Sequence, residues 1–288
     1  MRIASVASAL LCLLSPLSAA ETAPRSLDPA LRITLFAENP QLVTPTGIDV
    51  DAQGRVWAIE SNTHFPPKDY KGHPSDRLLI LTDTNGDGRA DREQVFLDGL
   101  RHTMSVAVRP VWIAPVQVDD KVAPAERQVF VATRREILLL EDTDNDDRCD
   151  RQTRLAWLET RGDYPHNGLA GFAFDALGWL YFGFGENLGE AYTLSCRGSG
   201  DEGKLAPIQG GGEGGNVYRM HPDGTDMAIW STGFWNPHAS CFDGAGRLFT
   251  VDNDPDSRPP CRLLHLIPGG DYGYRFRNGR KGLHPFTS

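Results

Sequence analysis

The sequence predicts an all-β fold, a β-propeller, because a short phrase recurs along the chain at regular spacing. The phrase joins an apolar strand, an Asp-x-x-Gly turn and a second strand that carries an aromatic residue, and its copies begin at Gly47, Gly171 and Ala239. These copies start 124 and 68 residues apart, so the period is near 62 residues and one degenerate copy falls in the first gap. Such a period indicates one supersecondary unit repeated around a ring. A β-sandwich with coincidental turns is the alternative.

The strands of each unit are predicted from apolar and β-branched runs that Gly, Pro, Asn and Asp clusters bound. They lie at residues 56–59, 77–81 and 93–96 in the first unit, 129–132 and 137–140 in the second, 215–220 and 227–230 in the third, and 262–267 in the fourth. The second unit lengthens its first hairpin with residues 109–127. No segment keeps an apolar period of 3.6 residues, so we expect little helix. Four units are visible, which fits either a small closed ring or part of a larger one.

The first twenty residues have the pattern of a signal peptide. Met1 and Arg2 precede an apolar run over residues 3–17, and a small-residue cleavage site follows. We therefore expect residues 1–20 to be removed, residues 21–288 to form one propeller domain, and the protein to be exported to the periplasm or cell envelope. No later stretch reaches the ~18 apolar residues that a transmembrane segment needs.

Charge and cysteine content narrow the classes of partner. The net charge of -9 argues against a nucleic-acid partner, which would need a basic surface. Four cysteines follow the signal peptide, at positions 149, 196, 241 and 261. In an oxidising compartment they permit two disulfides in any of three pairings. None forms a Cys-x-x-Cys pair, which excludes a zinc knuckle or a c-type haem site of that form.

Two acidic loops have the spacing of calcium ligands. The first places oxygen ligands at relative positions 1, 3, 5 and 9, which are Asp83, Asn85, Asp87 and Asp91. Position 6 is a glycine that permits a sharp turn, although position 12 is not the usual bidentate glutamate. The second loop, residues 142–150, repeats the pattern with an aspartate in place of that glycine. A plain hairpin is the alternative for both, since Asn-Gly and Asp-Gly are favoured turn dipeptides.

Two polar segments stand immediately ahead of the third and fourth repeats. One contains His166, and the other, residues 233–238, contains an Asn-Pro pair. The innermost strand of a propeller blade begins on the face around the central channel, so we expect the segments to face each other there. Histidine titrates near neutral pH and can act as a general base, whereas a capped loop histidine is the alternative. The run 252–257 offers carboxylates for a divalent cation, or forms an acidic turn.

Residues 166–274 resemble the glucose/sorbosone dehydrogenase family of quinoprotein propellers. The matching phrases lie at residues 174–185, 218–224, 232–237 and 268–274. Over its mature length the chain is similar to the N-terminal propeller of bacterial membrane-bound dehydrogenases, which often carry a c-type cytochrome domain. The resemblance implies a six-bladed ring with pyrroloquinoline quinone and calcium as cofactors. It also implies oxidation of a sugar or alcohol, with electrons passed to a cytochrome.

The resemblance implies roles for individual residues. His166 matches the base that takes the proton of the substrate hydroxyl while hydride passes to the quinone. Asn236 and Pro237 match the Asn-Pro pair on the cofactor side. Asp254 and Pro255 match positions whose backbone carbonyls help to hold the calcium that polarises the quinone.

Trp235 stands where the family has an arginine that contacts the quinone. Tryptophan can stack on a planar ring, but it cannot pair with carboxylates as arginine does. Two functions therefore remain. The first is an exported quinoprotein-like dehydrogenase that oxidises a sugar or alcohol. The second is a non-catalytic, calcium-stabilised propeller that binds a carbohydrate or a protein partner.

Overall fold

The computed structural model describes residues 24–164, 166–199, 205–211, 214–253 and 261–275. Contacts divide the chain into two units, residues 1–35 and 36–288. In the described part of the first unit, Asp28 Oδ1 accepts the backbone N–H of Ala30 in a local turn. All the described strands lie in the second unit. The predicted signal peptide, residues 1–20, lies outside the described residues.

The strands form four antiparallel sheets, which we number as blades 1 to 4. Blade 1 contains β1 (Pro45–Val50), β2 (Val56–Glu60), β3 (Asp76–Thr82) and β4 (Arg92–Leu100). Blade 2 contains β5 (Thr103–Val108), β6 (Arg127–Thr133), β7 (Glu136–Asp142) and β8 (Arg151–Thr160). Two strands from the next blade's loop, β11 (Tyr192–Cys196) and β12 (Ile208–Gly210), extend its outer edge. Blade 3 contains β9 (Leu169–Phe174), β10 (Leu180–Phe184), β13 (Gly215–Met220) and β14 (Ala228–Phe234), and blade 4 contains β15 (Pro237–Phe242), β16 (Leu248–Asp252) and β17 (Arg262–Leu266).

This arrangement confirms the predicted all-β propeller with four visible blades. The degenerate second copy begins at Thr103, between the first and third blades. The long hairpin over residues 109–127 joins β5 to β6 as predicted. No described residue lies in a helix. The part of the chain that the structure describes accordingly contains no helix long and apolar enough to cross a bilayer.

The repeated Asp-x-x-Gly turn has the same hydrogen bonds in three blades. Asp51 Oδ1 accepts the backbone N–H groups of Gln53 at 3.0 Å and Arg55 at 2.9 Å. Asp175 and Asp243 accept the same two bonds from the residues two and four positions later. The glycine of each turn has φ between +75° and +87°, a conformation that residues with a Cβ adopt at a cost. The repeat is therefore a local turn motif that joins the two innermost strands of a blade.

Apolar cores lie between neighbouring blades. In the core between blades 1 and 2, Ile59 and Leu78 of blade 1 pack with Val129 and Val131 of blade 2, and all four are fully buried. Alternate residues of a strand point to opposite sides of the sheet. Ala58 accordingly belongs to a separate core on the other side of blade 1. This two-sided packing sets the blades side by side and brings their innermost strands together.

The four cysteines among the described residues are free thiols, which corrects the expectation of two disulfides. Cys149 packs against the core between blades 1 and 2, whereas Cys196 belongs to the core between blades 2 and 3. Separate cores keep these two sulfurs apart. Cys241 and Cys261 are exposed in blade 4. Burial raises the pKa of the Cys149 thiol to about 11, so it stays protonated at neutral pH.

Candidate functional site

The innermost strands of all four blades line one cavity of about 480 Å³, whose walls include Thr46, Ser105, Gly171 and His238. A second cavity of about 450 Å³ shares Thr46 and His238 with the first. Its other described lining residues come from the beginnings of innermost strands and the ends of second strands, which meet on one face because neighbouring strands are antiparallel. We call this second cavity the candidate site.

The structure brings three of the predicted site residues together, since His166, Trp235 and Asn236 all line the candidate site. Asn236 Nδ2 donates to the backbone carbonyl oxygen of His166 at 3.0 Å. The polar segments ahead of blades 3 and 4 are thus in direct contact. Pro237 does not line the site. It begins β15, and its carbonyl oxygen lies so close to Gly183 that a Cβ there would overlap it.

Asp254 and Pro255, the predicted calcium-holding positions, lie outside the described residues. Asp252, at the start of the same acidic run, is almost fully buried. Its Oδ1 accepts the backbone N–H groups of Trp235 at 3.1 Å and Asn236 at 2.7 Å, and Arg262 pairs with its Oδ2. Burial raises the pKa of Asp252, and the Arg262 guanidinium opposes that rise. Asp252 therefore anchors the segment that carries Asn236.

Trp235 is only 3% exposed. Its ring centroid lies 5.3 Å from that of Tyr274 and 6.3 Å from that of Tyr164. Its backbone carbonyl accepts the N–H of Glu186 at 2.6 Å. The indole therefore packs beneath the site, and little of its face is open to a planar ligand.

His64 is a site residue that the sequence analysis missed. Its Nε2 lies 2.8 Å from Nδ1 of His166, and the two ring planes are inclined at 68°. The rings of Phe65 and Tyr164 lie 4.9 and 5.1 Å from the ring of His166. His166 is exposed at the mouth of the site and is framed by these three rings. The signal that could have found His64 is the polar segment that follows the second strand of blade 1, as polar segments also follow β10 and β16.

A buried carboxylate holds the loop that carries His64. Asp76 is fully buried, and its Oδ1 accepts the backbone N–H groups of Asn62 at 2.7 Å and Thr63 at 2.8 Å. Its Oδ2 accepts the backbone N–H of Thr103, the first residue of β5, at 2.8 Å. Asp76 thus ties the loop after β2 to the beginning of blade 2. This anchoring fixes the backbone immediately before His64, and from there the side chain of His64 reaches His166.

Three histidines around the site, His64, His102 and His238, are favoured in their neutral forms by their surroundings. Burial lowers the pKa of His64, and the nearby His166, His102 and His238 rings lower it further, while Asp76 opposes them. Burial also comes first among the causes that lower the pKa of His102, and it lowers the pKa of His238. Desolvation disfavours the charged form of a base. His64 and His238, which line the cavity, are therefore favoured in their neutral forms.

Several buried polar atoms of the lining have no hydrogen-bond partner among the described residues. They are Oδ1 of Asn167, Oδ1 of Asn236, Nδ1 of His64 and Nδ1 of His238. Buried polar atoms in folded proteins are nearly always paired. The described residues therefore leave four buried hydrogen-bonding atoms around this cavity unsatisfied. No arginine, lysine, aspartate or glutamate belongs to the described lining.

The first acidic loop is held by its own backbone. Asp83 accepts the N–H groups of Gly86 and Gly88, each at 2.7 Å, and Asp91 accepts that of Thr84 at 3.0 Å. The backbone hydrogen bonds that Asp83 accepts, with that of Gly88 first, lower the pKa of Asp83. The geometry is that of a hairpin, and calcium ligation by Asp83, Asn85, Asp87 and Asp91 stays a prediction.

The second acidic loop gathers its carboxylates more closely. Asp142, Asp144 and Asp146 each bring one oxygen within 4.8 Å of the others. Asp147, which replaces the turn glycine, has φ +66° and pairs with Arg55 of blade 1 at 2.8 Å and with Arg127 of blade 2. The residue that weakened the calcium-loop pattern therefore links two blades.

A family model described as "Domain of unknown function (DUF7133)" matches residues 21–265 of the chain. No curated protein matches the chain.

Solved structures share the fold. The chain is 16% identical to the PQQ-bound aldose sugar dehydrogenase of Streptomyces coelicolor, with a TM-score of 0.50, and the match covers 84% of this chain and 66% of that one. A structure described as glucose dehydrogenase is 16% identical with a TM-score of 0.51, covering 81% and 68%. A Trichoderma reesei enzyme of Carbohydrate-Active Enzymes Family AA12 is 11% identical with a TM-score of 0.51, covering 84% and 57%. The chain thus spans about two thirds of the first structure's length, and at these identities the likeness shows the fold alone.

Proposed function

The chain belongs to the DUF7133 family, and on that premise we propose that it is the propeller of an exported dehydrogenase that oxidises a sugar or an alcohol. One observation carries the proposal. The His64–His166 pair stands at the mouth of a cavity whose lining includes the buried, unpartnered amide oxygens of Asn167 and Asn236. The names of the structural neighbours, aldose sugar dehydrogenase and glucose dehydrogenase, support a sugar as the substrate class.

The chemistry assigned to the site is removal of a hydroxyl proton. In such an oxidation the substrate O–H bond breaks and its proton passes to His166. The C–H bond of the same carbinol carbon breaks as well, its hydride passes to an external two-electron acceptor, which in the assay below is the dye, and a carbonyl forms. Nδ1 of His166 is next to His64, so the proton is received at Nε2. The amide oxygens of Asn167 and Asn236 accept hydrogen bonds from other hydroxyls and orient the substrate. A positioned base contributes about 10²–10⁴-fold to the rate.

Pyrroloquinoline quinone does not fit the described lining. The quinone carries three carboxylates, and buried anions need cationic partners. The described lining has no arginine or lysine, burial lowers the pKa of its His64 and His238, and the ring of Trp235 is covered. We therefore assign no step to the quinone. Export remains a part of the proposal that rests on the signal-peptide pattern, and electron transfer to a c-type cytochrome is one that rests on the family resemblance.

The test is a dye-linked assay over a panel of sugars and alcohols, with and without added pyrroloquinoline quinone and calcium. We expect turnover by the wild-type protein and a fall in kcat/KM of about 10²–10⁴-fold for His166→Ala. His221→Ala is the matched control, because His221 stacks on Trp179 in blade 3, away from the candidate site. Absence of turnover under every condition would contradict the enzyme proposal. Full activity of His166→Ala would contradict the assignment of His166 as the general base.

The absence of arginine, lysine, aspartate and glutamate from the described lining also favours a second candidate function. A calcium-stabilised propeller that binds a carbohydrate or a protein without catalysis needs hydrogen-bonding groups but no redox cofactor. In this case calorimetry shows sugar binding by the wild-type protein without turnover, and Asn236→Ala weakens it. If the acidic loops hold calcium, millimolar calcium raises Tm, a chelator reverses the rise, and Asp83→Ala reduces it by the share of the first loop. A Tm unmoved by calcium leaves the hairpin interpretation.

A further inference from the structure

We propose that His64 is a positioning residue for His166, accepting the hydrogen of His166 Nδ1 at its own Nε2 and so presenting His166 Nε2 as the proton-accepting atom. The role in catalysis rests on the proposed function. The placement of the hydrogen can be measured on the protein alone, without a substrate.

The geometry allows one hydrogen between the two rings. Nε2 of His64 and Nδ1 of His166 are 2.8 Å apart, which is hydrogen-bonding distance. If neutral His64 donates, neutral His166 carries its own hydrogen on Nε2 and can only donate to a substrate oxygen. If His64 accepts, His166 Nε2 has a lone pair. Only the second arrangement makes His166 a base.

The loop around His64 is built to hold this contact. Asp76 fixes Thr63 by its backbone N–H, and the Oγ1 of Thr63 accepts the N–H of His102 at 2.7 Å. The next residue after His64, Phe65, has φ +49°. A left-handed non-glycine residue costs of order 1–3 kcal/mol and persists where surrounding contacts impose it. The ring of Phe65 lies 4.9 Å from that of His166.

The groups that face His64 favour its neutral form. They are the rings of His166, His102 and His238 and the carboxylate of Asp76, and burial together with the three rings lowers the pKa of His64. Neutral His64 retains one bare ring nitrogen. Its buried Nδ1 has no partner among the described residues, so no described protein group fixes its tautomer and the hydrogen position depends on His166.

Proton transfer strengthens the contact. Once His166 takes the substrate proton it is an imidazolium, and its Nδ1–H donates to the neutral ring of His64. A hydrogen bond from a charged donor is roughly twice as strong as a neutral one. His64 therefore stabilises the state that exists only after transfer, the role that a carboxylate has in a Ser-His-Asp triad.

The first experiment is ¹⁵N NMR of the histidine-labelled protein at pH 7.5, with His64→Gln and His166→Gln spectra for assignment. We expect hydrogen on Nδ1 of His166 and on Nδ1 of His64, with Nε2 of His64 bare. A hydrogen on Nε2 of His64 overturns the proposal whether or not the protein has activity.

The second experiment follows the titration midpoint of the His166 ring in two variants. His64→Phe keeps a ring without an acceptor, so the midpoint falls by roughly one pH unit. His64→Gln places an amide oxygen near the position of Nε2 and restores most of the shift, whereas the control His221→Gln changes nothing. An unchanged or raised midpoint in His64→Phe contradicts the proposal.

Activity separates this inference from the proposed function. If a substrate is found, the acid limb of kcat/KM moves with the NMR midpoint, and kcat falls in His64→Phe while KM changes little. If no substrate is oxidised but the midpoint shifts as expected, the dehydrogenase proposal fails and the His64–His166 pairing stands.

Discussion

Blades 1 and 4 carry the same repeat, yet residues at equivalent positions differ completely in exposure. Counted from the turn glycine, Ile59 of blade 1 corresponds to Val251 of blade 4. On the next strand, Leu78 pairs with Ile59 and Leu263 pairs with Val251. Ile59 and Leu78 are 0% exposed, whereas Val251 is 44% and Leu263 71% exposed.

The difference shows that the repeat sets which side of a sheet a residue faces, and the neighbouring blade sets whether it is buried. Blade 2 covers Ile59 and Leu78. Among the described residues, no apolar core includes Val251 or Leu263. The stabilising effect of an apolar side chain is roughly proportional to the area it removes from water. Equivalent residues of the two blades should therefore contribute very different amounts to the free energy of unfolding.

The largest expected contrast is between Leu78→Ala and Leu263→Ala. Truncation of Leu78 leaves a cavity between two blades and should lower the free energy of unfolding by about 2–5 kcal/mol. Truncation of Leu263 should change it by less than about 0.5 kcal/mol, as for an ordinary surface site. Denaturant unfolding measures both, with Leu177→Ala, 86% exposed at a turn, as the control. A cost at Leu263 equal to that at Leu78 would mean that the outer face of blade 4 is covered in solution.

The turns of the two blades should differ less. Besides its backbone bonds, Asp51 Oδ2 accepts Nε1–H of Trp57 at 2.9 Å and Nε–H of Arg55 at 2.7 Å. Burial acts to raise the pKa of Asp51, but these bonds outweigh it and the net shift is downward. Asp51→Ala should lower the free energy of unfolding by about 1–2 kcal/mol, because it leaves the indole N–H unpaired. Asp243→Ala should cost less, since its side-chain partner Arg247 is exposed. Equal Tm losses for the two variants would show that only the shared turn matters.

The smallest effect is the dependence of stability on pH. Burial lowers the pKa of His64, His102 and His238 below the ordinary value of 6.5, so the unfolded chain binds more protons than the folded chain below that pH. The contribution of these three histidines to the free energy of unfolding is therefore fully present above about pH 6.5, and it is lost as the pH falls below that value. Thermal unfolding between pH 7.5 and 5 should show this decline, and His238→Gln should reduce it. His265→Gln on blade 4 should leave the decline unchanged. An equal change in both variants would refute the assignment of the decline to His64, His102 and His238.

The turns, the hairpins and the four units were predictable because their interactions are local. Asp51 and its equivalents bond to residues no more than six positions away. The predicted strand at residues 77–81 is the centre of β3, Asp76–Thr82. The approach of His166 to Asn236 followed from the repeat, since both precede an innermost strand.

The rest of the site was not predictable because it depends on contacts between distant parts of the chain. His64 and His166 are 102 residues apart, and their contact depends on the anchor that Asp76 supplies. The run 252–257 left a cation site and an acidic turn open, because the bonds from Asp252 to the Trp235 segment cannot be read from composition. The sequence permits Cys149 and Cys196 to pair, whereas the structure places them at separate cores.

The sequence by itself determined the blade, because the Asp-x-x-Gly turn and the two-residue alternation of a strand operate within a few residues. Only the tertiary structure decided which blade faces are buried, which histidines meet and which carboxylates are already bonded. Burial and hydrogen bonding at these places depend on surfaces that other blades bring, and a repeated sequence carries the same residues whether or not a neighbour covers them. The contrast between Leu78 and Leu263 is the clearest case.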